Sequence, residues 1–327
     1  MKKIILTNLI LLSLILNSCG KKEEIAQVAV DLIPLKNKVV TGFVEGKERV
    51  NIYVQMQGKG EPVFILPGGP GYSFNYLEPF VSQLDSHYQI IYIDPRGCGK
   101  SDKLVDLQKY NLDDIVADIE SVKSALQIKN FHIIAHETGT LIAQQYVIKN
   151  PGHVKKMVLM SSTAQVSDLN AWLNGFRDFM PRAIAGEVKR YERDSMYSGD
   201  RFNSQYEALV LQGIKNPNLF TDPTYATMEF SLPERNWDVH NTIWGRGGFF
   251  NITGNIANFD TREKLQTVDV EALVLCGQND YIAPFVMESL VSSIPKADIH
   301  VFENSGHFFF IERNQEFIEK VKEFFKK

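Results

Sequence analysis

A chain of 327 residues, 44% hydrophobic and 23% charged, can bury one large core or a core with an inserted lid. Its formal charge of −4, with no basic block and no aromatic-basic stripe, gives nucleic-acid binding no support. Cys98 and Cys276 are too few and too ill placed for a disulfide framework or a metal site, so both read as buried thiols and no metal or cofactor is expected.

The N-terminus is distinct from the rest. Met1-Lys2-Lys3 precedes an apolar run from Ile4 to Leu16, then Asn17-Ser18-Cys19-Gly20. A basic start, a short apolar centre and a small residue before the cut make a secretory signal, too short for a stable membrane span. Leu16-Asn17-Ser18-Cys19 resembles a lipobox, the site at which bacterial lipoproteins are cut and lipidated, here at Cys19. Plain secretion with a coincidental cysteine is the alternative. Lys22-Glu23-Glu24 resembles the acidic tether that sends some lipoproteins to the cell surface, and a solvated linker explains it equally well. The expected location is the cell envelope, on a bacterial membrane, inner or outer. Loss of residues 1–18 removes two lysines and leaves 33 basic against 39 acidic residues, a formal charge of −6.

Residues 19–38 read as a polar tether. From Val39 the signal turns to strands, with Val39–Val44 and Val50–Val54 as an antiparallel hairpin around a Glu-Gly-Lys-Glu turn. Val63–Leu66 is wholly apolar, as expected of a strand buried on both faces, and runs into Pro67-Gly68-Gly69-Pro70-Gly71. Ile90–Ile93 is the next such strand and ends at Asp94-Pro95-Arg96-Gly97-Cys98-Gly99-Lys100-Ser101. A helix over about 112–126 follows, with Ile115, Val116, Ile119, Val122 and Leu126 on one face.

Phe131–Ile134 is then a strand, Ala135–Thr140 a sharp turn, and the stretch to Pro151-Gly152 a helix. Strand, turn and helix in that order form the setting of a nucleophile elbow, which lifts one side chain above a parallel sheet. The small-x-nucleophile-x-small frame puts that side chain at Glu137, where serine is usual. Met157–Met160 is a further strand. Residues 163–259 change character, with long polar and aromatic stretches that read as a mostly helical lid. Leu273–Leu275 and Ile299–Phe302 resume the strands, and Phe317, Ile318, Val321, Phe324 and Phe325 mark a closing helix. The division is therefore signal peptide 1–18, tether 19–38, core 39–162, lid 163–259 and core 260–327. Strands alternating with helices imply a mainly parallel sheet covered on both faces.

Catalytic groups in such a sheet gather at the carboxyl ends of its strands. Asp280, in Gly277–Pro284, follows one strand and can orient an imidazole. His307, in Ser305-Gly306-His307, follows the last and can serve as base and then acid.

These motifs together resemble the α/β-hydrolases, and within them the proline-iminopeptidase family. Pro67–Gly71 is similar to that family's His-Gly-Gly-Pro-Gly loop, and Asp94–Ser101 to its Asp-Gln-Arg-Gly-x-Gly-x-Ser. Thr253–Asp260, the loop of Asp280 and Gly306–Glu312 fit it as well. The resemblance implies an α/β-hydrolase fold: a mostly parallel eight-stranded sheet with helices on both faces and an inserted helical lid. It makes Asp280 and His307 the acid and histidine of a triad, and the backbone N–H groups of Gly69 and Thr138 the oxyanion hole. It implies a small-molecule or short-peptide substrate.

Three positions depart from the family. Glu137 excludes a seryl ester; Pro67 replaces a histidine; and Phe249 stands where the family's lid usually carries an acid that grips the substrate's amino group, a task other lid acids such as Glu229 or Glu234 could take. Epoxide hydrolases and haloalkane dehalogenases use an aspartate at the elbow and pass through an ester, so Glu137 can be a covalent nucleophile. It can also be a general base, or an ion-pair partner of His307 in a closed, inactive pocket. The rival class is a surface lipoprotein that binds a ligand or partner in that pocket. Trp172, Tyr191, Tyr197, Tyr225 and Trp237 are candidates to line it, although most read as lid core.

Overall fold

A computed structural model describes residues 30–34, 39–193, 200–222, 224–225, 232 and 234–326. The signal sequence, Cys19, Tyr197 and Glu229 lie outside the described residues. So does the segment read as a tether, except for residues 30–34.

One sheet organises the chain, in the order β1-β2-β3-β5-β4-β6-β7-β8-β9. β1 (Val30–Pro34), β2 (Val40–Glu45) and β3 (Asn51–Gly58) are antiparallel, and β3 pairs antiparallel with β5 (Tyr88–Ile93). β4 (Glu61–Leu66), β6 (Phe131–His136), β7 (Val154–Met160), β8 (Glu271–Gly277) and β9 (Lys296–Phe302) are parallel to β5 and to one another. The sheet thus has nine strands rather than eight. The addition is β1, which falls inside the expected tether and pairs with β2 from Val30↔Val44 to Pro34↔Val40. An edge strand offers open backbone groups that any short extended segment can pair with, whatever its side-chain pattern.

The wholly apolar runs are central strands, as their composition requires. Val63, Phe64, Ile65, Ile133, Ile134, Val158 and Val274 are all fully buried. α1 (Leu112–Ala125) is capped by Asn111, whose side chain accepts from Asp114 N–H, and it presents Ile115, Val116, Ile119 and Val122 to the sheet. α2 (Thr138–Lys149) runs from the elbow, and the C-terminal helix Asn314–Lys326 buries Phe317, Ile318, Val321 and Phe325.

The chain leaves β4 toward β5 on one side and returns to β6 on the other. That makes the carboxyl ends of β4 and β6 the switch point of the sheet, where open α/β sheets hold their ligands. Over this end lie the helices Val166–Phe176, Arg182–Arg193, Asp200–Ile214 and Trp237–Ile243, between β7 and β8. The ends of that insertion meet at an antiparallel bridge between Gln165 and Asp260. Among the described residues no helix is long and apolar enough to cross a membrane.

Candidate active site

The turn after β6 is an elbow in its backbone as well as in its sequence. Glu137 has φ 46° and ψ −119°, a region that non-glycine residues enter only when the surroundings impose it. Its N–H donates to the Met160 carbonyl at 3.0 Å, which ties the turn to the end of β7. Helix α2 then passes so close to β4 that a Cβ on Gly139 would lie 2.4 Å from the Leu66 carbonyl oxygen and 2.6 Å from that of Pro67. The small residue two places after the elbow is therefore a steric requirement.

The Glu137 carboxylate is fully engaged. Oε2 accepts from the Gly69 N–H at 3.0 Å. Oε1 lies 3.0 Å from His307 Nε2 and also accepts from the Tyr281 hydroxyl. His307 Nδ1 is 2.8 Å from Asp280 Oδ1, and Asp280 accepts in addition from Ser161 Oγ at 2.6 Å and Ile282 N–H at 2.8 Å. The structure thus brings Glu137, His307, Asp280 and Gly69 together. Thr138, the other expected oxyanion donor, makes no hydrogen bond from its N–H to the carboxylate. Of the two expected donors, Glu137 is met by Gly69 alone.

Charge follows this geometry. Burial opposes ionisation of Glu137, yet the His307 bond and charge outweigh it and hold the carboxyl well below the usual carboxylate range. Burial likewise opposes charge on His307, but Asp280 and Glu137 raise it to about 10. The resting pair is an imidazolium and a carboxylate. Beside them, burial next to the His307 charge pushes His136 down to about 3. His136 Nδ1 meets the Tyr76 hydroxyl at 2.8 Å, and the same hydroxyl accepts from the Gly68 N–H at 2.8 Å.

The space above the carboxylate is small. A cavity of about 30 Å³ is bounded by Glu137, His136, His307 and Tyr281 on the core side and by Leu211, Leu232, Arg235 and Phe249 on the lid side. That volume holds a water or two, not a substrate. A wider cavity of about 690 Å³ opens beyond Leu211, Leu232 and Arg235, lined by Glu207, Glu234 and Trp237 among others. Phe249 contributes an apolar wall at the position that departs from the family. Glu234 faces the outer cavity instead of the carboxylate.

Sequence reasoning missed Tyr281, Tyr76, Ser161 and Arg235. Tyr281 had one signal, adjacency to Asp280. Arg235 had none. It is buried in the lid, donates to the carbonyls of Gly69 and, at 2.9 Å, Pro70, and reaches Tyr72 Oη at 2.6 Å and Glu207 at 2.7 Å. Of the aromatics expected to line the pocket, Tyr191 packs in the lid against Tyr206 and Trp237 lies against Arg235. Trp172 donates from its indole N–H to the Tyr281 carbonyl at 2.7 Å. The tyrosine on the carboxylate comes from the acid loop, not from the lid.

Comparison with known proteins agrees with the fold. The alpha/beta hydrolase fold family matches residues 61–314. A proline iminopeptidase of Heyndrickxia coagulans is 29% identical over 267 residues, 82% of this chain and 91% of that protein. A proline iminopeptidase of Saccharolobus solfataricus is 24% identical over 287 residues, 86% of this chain and 91% of its own. The crystal structure of a proline iminopeptidase from Mycobacterium smegmatis superposes with a TM-score of 0.71 at 20% identity, covering 87% of this chain and 97% of that one.

Proposed function

The chain belongs to the alpha/beta hydrolase fold family, and from that premise we propose that it is an exported hydrolase, lipid-anchored at Cys19, that uses Glu137 where its relatives use serine. The observation that carries this reading is the division of one carboxylate between two tasks. Oε2 sits on the Gly69 N–H, where an oxyanion would be held, and Oε1 faces His307, which Asp280 orients. A serine mechanism is closed to this chain, and a carboxylate ester fits the same machinery.

In that route Glu137 Oε1 attacks an electrophilic carbon of a small substrate, forming a C–O ester bond while the leaving group departs with the electron pair of its own bond. The imidazolium of His307 gives its proton to that departing group, and esterification removes the negative charge that would hold another proton on the ring. The neutral imidazole then takes a proton from water as its oxygen attacks the ester carbon. The charge that develops on Oε2 is met by Gly69. Collapse breaks the acyl C–O bond, and His307 returns the proton to the departing alkoxide. The new carboxyl of Glu137, with one oxygen from water, passes its proton to His307 and restores the carboxylate–imidazolium pair.

A panel of epoxides, esters and amino-acid arylamides, with intact-mass measurement on His307→Gln, tests this route. The variant should accumulate a mass adduct on Glu137 with any substrate the native protein turns over. Turnover with no adduct in the variant would overturn the covalent route. A second reading has its own observation, a cavity of only about 30 Å³ beside an ion pair. It makes the chain a non-hydrolytic homologue that binds a ligand or partner at the envelope, and absence of turnover across the whole panel would support it.

A further inference from the structure

We propose that His136, Glu137 and His307 form a site for a divalent transition-metal ion of the zinc class. One ligand atom from each lies within 4.8 Å of the other two. Two imidazoles and a carboxylate are a donor set that suits zinc and its neighbours and is poorly matched to magnesium or calcium, which take oxygen ligands.

The second observation is His136 itself. Its Nε2 is buried without a hydrogen-bond partner, although the ring is only 1% exposed and borders the cavity. An unmatched buried nitrogen is costly, and a metal ion would satisfy it. The other ring nitrogen, Nδ1, is already held by the Tyr76 hydroxyl at 2.8 Å. In the tautomer whose Nδ1–H donates to the Tyr76 oxygen, the Nε2 lone pair is bare. His307 has its Nδ1 on Asp280 and its Nε2 toward Glu137, where an ion would take the place of the proton between them. Both imidazoles therefore have the supporting partner that metal-binding histidines have.

The elbow makes the convergence possible. Side chains of consecutive strand residues point to opposite faces, so His136 and Glu137 would diverge on a regular strand. The positive φ at Glu137 breaks that alternation and turns both toward His307, whose ring centroid lies 4.7 Å from that of His136. The present separation of 3.0 Å between Glu137 Oε1 and His307 Nε2 is near the spacing of two ligands on one tetrahedral ion. The cavity of about 30 Å³ leaves room for a water as the fourth ligand.

This inference does not rest on the ester route. An ion would hold the carboxylate that the ester route consumes, so binding is read without turnover. The experiment titrates Zn²⁺, and separately Co²⁺, into chelator-stripped full-length protein by calorimetry and visible absorption, with Mg²⁺ as control. Saturation at one ion per chain, cobalt bands of low coordination number and no Mg²⁺ binding are expected. Glu137→Gln, His136→Gln and His307→Gln, each checked for a native circular dichroism spectrum, should weaken Zn²⁺ by on the order of a hundredfold or more. Absence of saturable Zn²⁺ binding to the native chain overturns the proposal whatever the variants do. Stoichiometric binding that survives in folded His136→Gln also overturns it, by placing the ion elsewhere.

Discussion

The backbone N–H of Gly69 donates to Glu137 Oε2 at 3.0 Å, so the donor that the proposed function assigns to a reacting oxygen is already filled by the side chain at the elbow. Glu137→Ser removes that occupant and leaves Gly69, His307 and Asp280 in place. A serine hydroxyl at the elbow would face His307 Nε2, freed from the carboxylate that keeps it charged. We expect Glu137→Ser to hydrolyse activated esters such as p-nitrophenyl acetate with a rise on the order of 10²-fold over the native chain, the worth of one vacated oxyanion donor. The release of p-nitrophenol checks it, and a burst of one equivalent per chain would mark a seryl ester. No gain in a folded variant would show that the cavity, not the residue, bars the chemistry.

Arg235 provides a second test, because one lid side chain holds the loop that carries Gly69. Its buried guanidinium donates to the carbonyls of Gly69 and Pro70, bonds Tyr72 and pairs with Glu207, which is half-buried at the edge of the outer cavity. Arg235→Met keeps the length but leaves two carbonyls without this donor and Glu207 with the Tyr72 hydroxyl alone. Leaving buried carbonyls without a donor costs roughly 1–3 kcal/mol, so the urea midpoint should fall. Arg235→Lys should recover little, since an ammonium cannot reproduce the planar fork. Full stability in Arg235→Met would mean that the loop is held by other contacts.

What sequence could show here divides along a physical line. The central strands announced themselves as uninterrupted apolar runs, and Glu137, Asp280 and His307 sat in loops that follow strands. Those features are local, and the parallel topology then brings the loops together. Tyr281 and Ser161 were hidden because their roles come from hydrogen bonds across the sheet's end, 2.6 Å in the case of Ser161 to Asp280. The turn at Glu137 was legible from its frame, but the pairing of His136 with His307 was not, because it depends on how the positive φ there redirects the preceding side chain. Arg235 lies in a segment without periodicity, and only the folded lid delivers it to the Gly69 loop. β1 escaped notice because edge pairing uses backbone groups that every residue has.

Gly139 tests the packing under the elbow. A methyl group there would meet the carbonyl oxygens of Leu66 and Pro67 at 2.4 and 2.6 Å, both on backbone that the central strand β4 fixes. Neither can retreat as a flexible side chain would. Gly139→Ala should therefore destabilise by roughly 1–3 kcal/mol, the range for overpacking, despite the better helix propensity of alanine. Gly175→Ala is the control. It is also helical and has nothing within 4 Å of the added carbon, so it should be neutral or slightly stabilising. Equal effects at the two positions would show that propensity, not contact, sets the result.

Asp94 predicts how stability varies with pH away from the site. Burial pushes its carboxyl up to about 6, although the N–H groups of Lys100 and Phe74 donate to it at 2.9 and 3.2 Å. The unfolded chain gives up that proton near the ordinary value of 3.8. The folded state therefore binds more protons between these values, and stability falls as pH rises through the window. The contribution is fullest below pH 4 and is lost by pH 6, amounting to at most about 3 kcal/mol for a shift of this size. Urea unfolding at intervals from pH 4 to 6 should show that decline superimposed on the response of the other acids. Asp94→Asn, which cannot ionise, should remove it. The comparison is one of slopes, because the amide also changes the bonds to Lys100 and Phe74 and so shifts stability at every pH. Parallel profiles for the two proteins would mean that Asp94 is ionised in the fold at pH 4, with its two backbone donors outweighing its burial.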